Sequence, residues 1–294
     1  MQASQSNQTA DSDDGANPPF ANPARRNQLA RGFASLVVVG ALLYAGVVGV
    51  FYVGQERLIF MPTVLPADHT FTLADTTEVR IPVNGATLSA LHFKQPNARG
   101  VIFFLHGNGG NLASWLTTTD FYRKNNFDLF MIDYRGYGKS TGSIASEAEL
   151  HADVLTAWQQ IAPQYAGKKR VIYGRSLGAA LATKLATEPA VEADWLVLVS
   201  PFFNVDAMRR DYYSWLPGAL MRYTFTTNEW LSKVRAPITI VHGDRDTLIT
   251  YDHAARLHAL VPGSELIKIE GGNHLNLHHL APYVNALTVR LAKL

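Results

Sequence analysis

Apolar and polar residues alternate along this chain in three distinct regimes. From Gly32 to Gly54 no charged residue occurs, and Phe33–Val53 as a helix would span roughly 30 Å, the hydrocarbon thickness of a bilayer. The pattern then becomes an alternation over Glu78–Val83 and Ala86–Phe93, on either side of Asn84-Gly85, the dipeptide that most strongly signals a hairpin. Beyond it come continuous apolar runs at Val101–Leu105, Leu129–Ile132, Arg170–Tyr173, Trp195–Val199, Ile238–Val241 and Leu266–Ile269. Runs of that kind suit strands buried on both faces. Helices are predicted between them over Leu112–Lys124, Ser146–Ile161, Leu177–Thr187 and Asp252–Leu260, with a less regular segment over Val205–Leu231 and a last helix over Leu280–Leu294. A hairpin followed by alternating strands and helices predicts an α/β fold, a mostly parallel sheet covered on both faces. Ligands of such sheets sit at the carboxyl ends of the strands.

The organisation expected from this pattern is a polar, unfolded tail over residues 1–31, a transmembrane helix over 32–54 and a folded domain over 55–294. The tail is rich in Gln, Ser, Asn, Asp and Pro, a composition that cannot bury a core. A cleaved signal peptide would have a shorter apolar region and a small-residue cleavage site, which the stretch before Gln55 does not offer. Arg25, Arg26 and Arg31 precede the apolar helix and only Arg57 follows closely. That bias places the N-terminus in the cytoplasm and the domain on the outer side of a cell (inner) membrane, as a single-pass protein. With 26 Lys plus Arg against 24 Asp plus Glu, there is no electrostatic case for nucleic acid. The chain has no cysteine, which excludes disulfides, thiolate zinc sites and thiol nucleophiles.

The chemistry concentrates at strand ends. Gly174-Arg175-Ser176-Leu177-Gly178 follows one apolar run and opens a helix, the setting of a nucleophile elbow. After Val101–Leu105 comes His106-Gly107-Asn108-Gly109-Gly110, a loop poor in side chains whose N–H groups can face an anion. Asn108 is the first choice for one oxyanion donor, with Gly107 and Gly109 as rivals, and the N–H of Leu177 is the other. The loop matches neither a dinucleotide fingerprint nor a phosphate-binding P-loop. Asp246, preferred over Asp244, lies in the loop after Ile238–Val241, and His274 in the loop after Leu266–Ile269. His278 and His279 are expected to begin the last helix, His253 and His258 sit on a helix, and His106 and His242 read as packing residues beside glycines. His274 and His278 have the i, i+4 spacing of a zinc pair, yet no Glu follows the first, so no metal and no cofactor is expected. Ser176, Asp246 and His274 thus occur in the order Ser, Asp, His of one hydrolase fold.

These motifs, together with Asp133-Tyr134-Arg135-Gly136-Tyr137-Gly138, His242-Gly243-Asp244-Arg245-Asp246 and Gly272-Asn273-His274, resemble the α/β-hydrolase superfamily from Gln55 onward. Gln55-Glu56-Arg57-Leu58-Ile59-Phe60 after a membrane helix is similar to the membrane-anchored serine hydrolases that include protein depalmitoylases and lysophospholipases. The resemblance implies an eight-stranded sheet, Ser176, Asp246 and His274 as a triad, and oxyanion N–H groups from Asn108 and Leu177. It also implies a structural role for the Asp133–Gly138 turn. Thr250 departs from the pattern, since many relatives have proline there. The expected activity is hydrolysis of carboxylic esters or thioesters of lipid or acyl substrates. Alternatives are an aminopeptidase-like amide hydrolase, an acyltransferase, or a membrane-tethered binding protein on the same scaffold. The aromatic stretch over 201–232, with Tyr212, Tyr213, Trp215, Tyr223 and Phe225, is expected to form a short lid-like segment.

Overall fold

The computed structural model describes residues 23–294, so most of the expected tail lies outside the described residues. Two units are compact in themselves, the described residues up to 51 and residues 52–294. In the first, helix α1 (Pro23–Val53) starts earlier than Gly32. Pro23 suits the first helical turn, where its missing N–H costs nothing. Ala24, Arg25, Arg26, Gln28, Leu29 and Ala30 are mostly good helix formers with no glycine among them. Ala24–Val53 is long and apolar enough to cross a membrane by length and composition, a test that a signal sequence near an N-terminus also passes.

The second unit begins with a short helix, α2 (Gln55–Ile59). It continues as the hairpin β1 (Thr76–Val83) and β2 (Ala86–Phe93), in which Val83 pairs with Ala86 around the Asn84-Gly85 turn. There follow β3 (Gly100–Leu105), α3 (Leu112–Trp115), α4 (Asp120–Asn125), β4 (Asp128–Ile132), α5 (Glu147–Ile161), β5 (Lys169–Arg175) and α6 (Leu177–Ala186). The chain then runs through β6 (Trp195–Val199), α7 (Val205–Tyr212), α8 (Thr227–Trp230), β7 (Ile238–Gly243), α9 (Tyr251–Leu260), β8 (Glu265–Ile269) and α10 (Ala281–Lys293). The eight strands form one sheet in the order β1-β2-β4-β3-β5-β6-β7-β8. Pairing is antiparallel from β1 to β4 and parallel from there to β8.

Period-two alternation divides each central strand between two cores. Val101, Phe103 and Leu105 face a core shared with Leu150, Val154 and Trp158 of α5 and with Leu181 of α6. Ile102 and Phe104 face the opposite core, shared with Leu112, Leu116, and Tyr283, Leu287 and Leu291 of α10. Both faces of β3 to β7 are therefore covered, as the continuous apolar runs require. β8 is the exception. It is an edge strand, and only Ile269 in it is fully buried.

The single helix expected over Leu112–Lys124 is instead two short ones. Asn111 caps α3 through a reciprocal bond pair with Ser114, and Leu116 leaves the helical conformation at ψ 86°. Thr117, Thr118 and Thr119, β-branched and able to bond their own backbone, do not continue a helix well. His278 and His279 lie in a 3-10 turn over Leu277–His279 rather than in the last helix. Pro282 explains the shift, since it suits the first turn of α10 but could not stand inside a longer helix.

Candidate active site

The turn after β5 holds the backbone in a conformation few residues accept. Ser176 has φ +55° and ψ −119°, a strained region that persists only where the surroundings over-determine it. Here they do. A Cβ on Gly174 would come within 2.2 Å of the carbonyl oxygen of Gly178, and one on Gly178 within 2.0 Å of that of Leu105. The two glycines let β5, α6 and the end of β3 close on one another. This brings Gly107 against Ser176, where a Cβ on Gly107 would stand 3.2 Å from the serine Cβ. Ser176 is the N-cap of α6, so Leu177 opens the helix with an N–H that has no intrahelical acceptor.

Three loop ends then meet. His274 Nε2 lies 3.1 Å from Ser176 Oγ, and His274 Nδ1 lies 2.8 Å from Asp246 Oδ2. The other carboxylate oxygen, Oδ1, accepts the N–H groups of Leu248 at 3.0 Å and Ile249 at 2.8 Å. Asp246 is buried, and burial alone would raise its pKa. Hydrogen bonds from His242, His274 and the Ile249 N–H outweigh that and hold the carboxyl well below the usual carboxylate range. It is a fixed anion behind the imidazole. Asp244, the rival acid, turns instead to the N–H of Gly271. His242 bonds the carbonyl oxygen of Ile249 at 2.7 Å, so it braces the acid loop.

The glycine-rich loop after β3 is held from several sides. The N–H of Gly109 donates to the carbonyl oxygen of Phe60 at 2.7 Å, which removes this rival as an oxyanion donor. Neither Asn108 nor Leu177 gives its N–H to a protein acceptor among the described residues. Asp133 Oδ1 accepts the N–H of Leu112, and Tyr134 donates its hydroxyl to the carbonyl oxygen of His106 at 2.7 Å. Arg135 forks onto Asp153 at 2.5 and 2.8 Å and reaches Glu149 at 2.8 Å. The Asp133–Gly138 turn therefore frames the loop. Phe60–Leu65 threads between the two, with Thr63 N–H on Gly110 O, Gly138 N–H on Thr63 O and Leu65 N–H on Gly138 O.

A cavity of about 650 Å³ opens beside the elbow, on the face of the sheet that carries α3, α4 and α10. Asn108, Arg175 and Leu275 place it next to the loop, the serine and the histidine, and Phe104, Trp115, Tyr173 and Leu287 supply apolar wall. None of residues 202–230 lines it. The stretch divides: Tyr223 and Phe225 are buried, with rings 5.0 and 6.3 Å from that of Phe60, whereas Tyr212, Tyr213 and Trp215 are exposed. The cavity and the Phe60–Leu65 thread were not legible in the sequence, since both depend on contacts between distant segments. His278, at zinc-pair spacing from His274, faces Arg175 Nη1 at 3.2 Å.

Known proteins resemble this chain in sequence and fold. The family model described as serine aminopeptidase, S33 matches residues 96–224, a span that includes Ser176 but ends before Asp246. Alpha/beta hydrolase domain-containing protein 17C of Homo sapiens is 29% identical over 202 residues, covering 65% of this chain and 58% of that one. Alpha/beta hydrolase domain-containing protein aho-3 of Caenorhabditis elegans is 30% identical over 201 residues, covering 65% and 57%. The matches thus span a little under three fifths of these relatives' length. Among solved structures, an esterase of Pyrococcus furiosus superposes with a TM-score of 0.64 at 18% identity, over 80% of this chain and 97% of its own. A soluble variant of monoglyceride lipase from Saccharomyces cerevisiae gives 0.60 at 14% identity, over 78% and 98%. Sheet order, the turn that bears the serine and these matches agree: the domain has the α/β-hydrolase fold and is similar in sequence to α/β-hydrolase domain-containing proteins.

Proposed function

We propose that the protein is a serine hydrolase that cleaves carboxylic ester or thioester bonds of acyl or lipid substrates through an acyl-enzyme on Ser176. The observation that carries this reading is the hydrogen-bonded series Ser176, His274, Asp246 at 3.1 and 2.8 Å. In the proposed mechanism Ser176 Oγ attacks the carbonyl carbon while His274 Nε2 takes its proton. Asp246 keeps the imidazole oriented and stabilises the imidazolium that forms. The oxyanion collects on the N–H groups of Asn108 and Leu177, fixed dipoles that need no reorganisation when charge develops. His274 then protonates the leaving group, and water repeats the sequence to free the acid. The cavity beside the elbow, with Phe104, Trp115 and Leu287 in its wall, suits an apolar acyl or alcohol portion.

The proposed organisation is a membrane segment over 32–54 and a hydrolase domain over 55–294, with 201–232 as a lid-like insertion on the other face of the sheet. The arginines that precede the helix support a domain on the outer side of the membrane. Protease added to intact cells should then digest the domain, and digestion only after lysis would overturn the orientation. Amide cleavage is a second reading, favoured by the aminopeptidase description of the matching family model. Fluorophosphonate labelling of the wild type and of Ser176→Ala tests the nucleophile, and a panel of esters of rising chain length, thioesters and aminoacyl amides separates the two readings. Labelling that persists in Ser176→Ala would sink the assignment.

A further inference from the structure

The side chain just before the serine has no part in that chemistry, yet it is the most unusual charge in the domain. Arg175 is only 7% exposed, and a guanidinium cannot shed its charge in a protein. Its recorded partners are neutral. Nη2 donates to the carbonyl oxygen of His274 at 2.6 Å, Nη1 faces His278 Nδ1 at 3.2 Å, and the Trp115 ring lies 5.4 Å from the guanidinium. Nε is buried with no acceptor. Five N–H donors thus meet two recorded acceptors, and no carboxylate stands within ion-pair distance among the described residues. Buried charges are ordinarily paired, because an unpaired one is expensive to keep out of water. The neighbouring imidazole does not supply the missing anion. Burial first, then Arg175 and His279, lower His278 to about 4, so at neutral pH it is an uncharged acceptor.

Arg175 is also placed to meet a ligand. Alternation along β5 puts it on the same face as Tyr173, and both line the 650 Å³ cavity next to Asn108. The cavity therefore joins apolar walls to one uncompensated positive charge beside the proposed oxyanion site. We propose that Arg175 is a specificity residue, and that the cavity selects substrates carrying an anionic carboxylate or phosphate group on an apolar stem. The anion would complete the guanidinium's pairing, as planar N–H donors do for such oxygens. This inference rests on the ester-hydrolase reading of the same site.

Two matched substrate pairs test it: mono-4-nitrophenyl adipate against 4-nitrophenyl hexanoate, and a 1-acylglycerol 3-phosphate against the 1-acylglycerol of the same chain. In the wild type kcat/KM should favour the anionic member of at least one pair by roughly ten- to a hundred-fold, the scale of a charge-assisted hydrogen bond. Which pair responds tells carboxylate from phosphate. Arg175→Gln should bring that ratio close to one whatever its absolute rate, and Arg175→Lys should retain part of it. A wild-type ratio at or below one in both pairs, or a ratio unchanged in Arg175→Gln, overturns the proposal. A role confined to holding His274 would lower both members of a pair alike and also overturns it. Should the variants not fold, adipate and glycerol 3-phosphate should still protect wild-type Ser176 from a neutral fluorophosphonate better than adipamide does, and equal protection refutes the idea. Labelling and neutral-ester turnover without anion preference sink this inference alone, whereas loss of both in the wild type sinks the hydrolase reading.

Discussion

Replacing Gly178 by alanine gives a sharp test of how the elbow is built. The added Cβ would stand 2.0 Å from the carbonyl oxygen of Leu105, 2.5 Å from its carbon and 2.6 Å from the carbonyl oxygen of His106, where real contacts do not fall below 3.0 Å. All three obstacles are backbone at the end of β3, so no side chain can rotate away. The helix must retreat from the strand by about 1 Å. α6 carries Ser176 as its cap and the Leu177 N–H in its first turn, while β3 feeds the loop of Asn108. The retreat therefore separates the proposed nucleophile from one oxyanion donor. Misplacement of that size costs on the order of 10²-fold in rate, and the forced packing about 1–3 kcal/mol of stability. The assay is the second-order rate of fluorophosphonate labelling and kcat/KM on a short neutral ester, with urea midpoints on the same samples. Gly263→Ala is the control, since a Cβ there meets nothing within 4 Å. Labelling of Gly178→Ala at the wild-type rate with an unchanged midpoint would refute the reasoning.

Further expected outcomes concern the acid, a buried histidine and a loop. Asp246→Asn should lower kcat by about 10⁴-fold while the protein stays folded, because the imidazole loses its orienting anion; near-full activity would sink the acid assignment. The depressed pKa of Asp246 contributes stability that is present above the ordinary carboxylate pKa, about 3.9, and is lost as pH falls below it. Asp246→Asn should accordingly show a shallower acid limb in urea midpoint against pH. Burial, aided by Lys94, lowers His92 from 6.5 to about 4. The unfolded chain thus takes up a proton that the folded one does not, and stability should fall as pH drops from 6.5 towards 4. His92→Gln should flatten that slope, and an identical slope would show that His92 is not its source. Thr250 has φ −65°, the value proline imposes, and its N–H has no recorded acceptor. Thr250→Pro should raise stability by about 0.4–1 kcal/mol, read as melting temperature, and a lowered value would count against the loop geometry.

Which parts of this molecule were legible in the sequence follows from how local their causes are. Each of the eight strands falls where an apolar run or alternation lies, because burial on one or both faces is written residue by residue. Ser176, Asp246 and His274 could be singled out because each follows such a run, and parallel strands bring those ends together. The break at Leu116 was hidden because three threonines weaken a helix only by degrees. Asn108 could not be separated from Gly109 until the Phe60 carbonyl was seen to take the Gly109 N–H. Arg175 stood in plain view as a variable position inside the serine motif. What makes it unusual is the lack of an acid around it, and that is a property of the packed molecule. For the aromatic stretch over 201–232 composition reports apolar surface without direction; the fold sends Tyr223 and Phe225 towards Phe60 and leaves Tyr212, Tyr213 and Trp215 exposed.

The thread of Phe60–Leu65 bears on how the domain can be handled and how it could be perturbed. Its backbone takes part in the hydrogen bonds that frame the Asn108 loop and the Asp133–Gly138 turn, so the stretch between helix and hairpin is no passive tether. Gln55 and Glu56, just before it, are fastened to Leu220, Arg222 and Tyr223. A version without the apolar helix therefore has to begin before Gln55, for a cut placed at the first strand would discard one wall of the frame around the proposed oxyanion donors. Force applied along the chain from its N-terminal side would reach that wall before it reached the sheet.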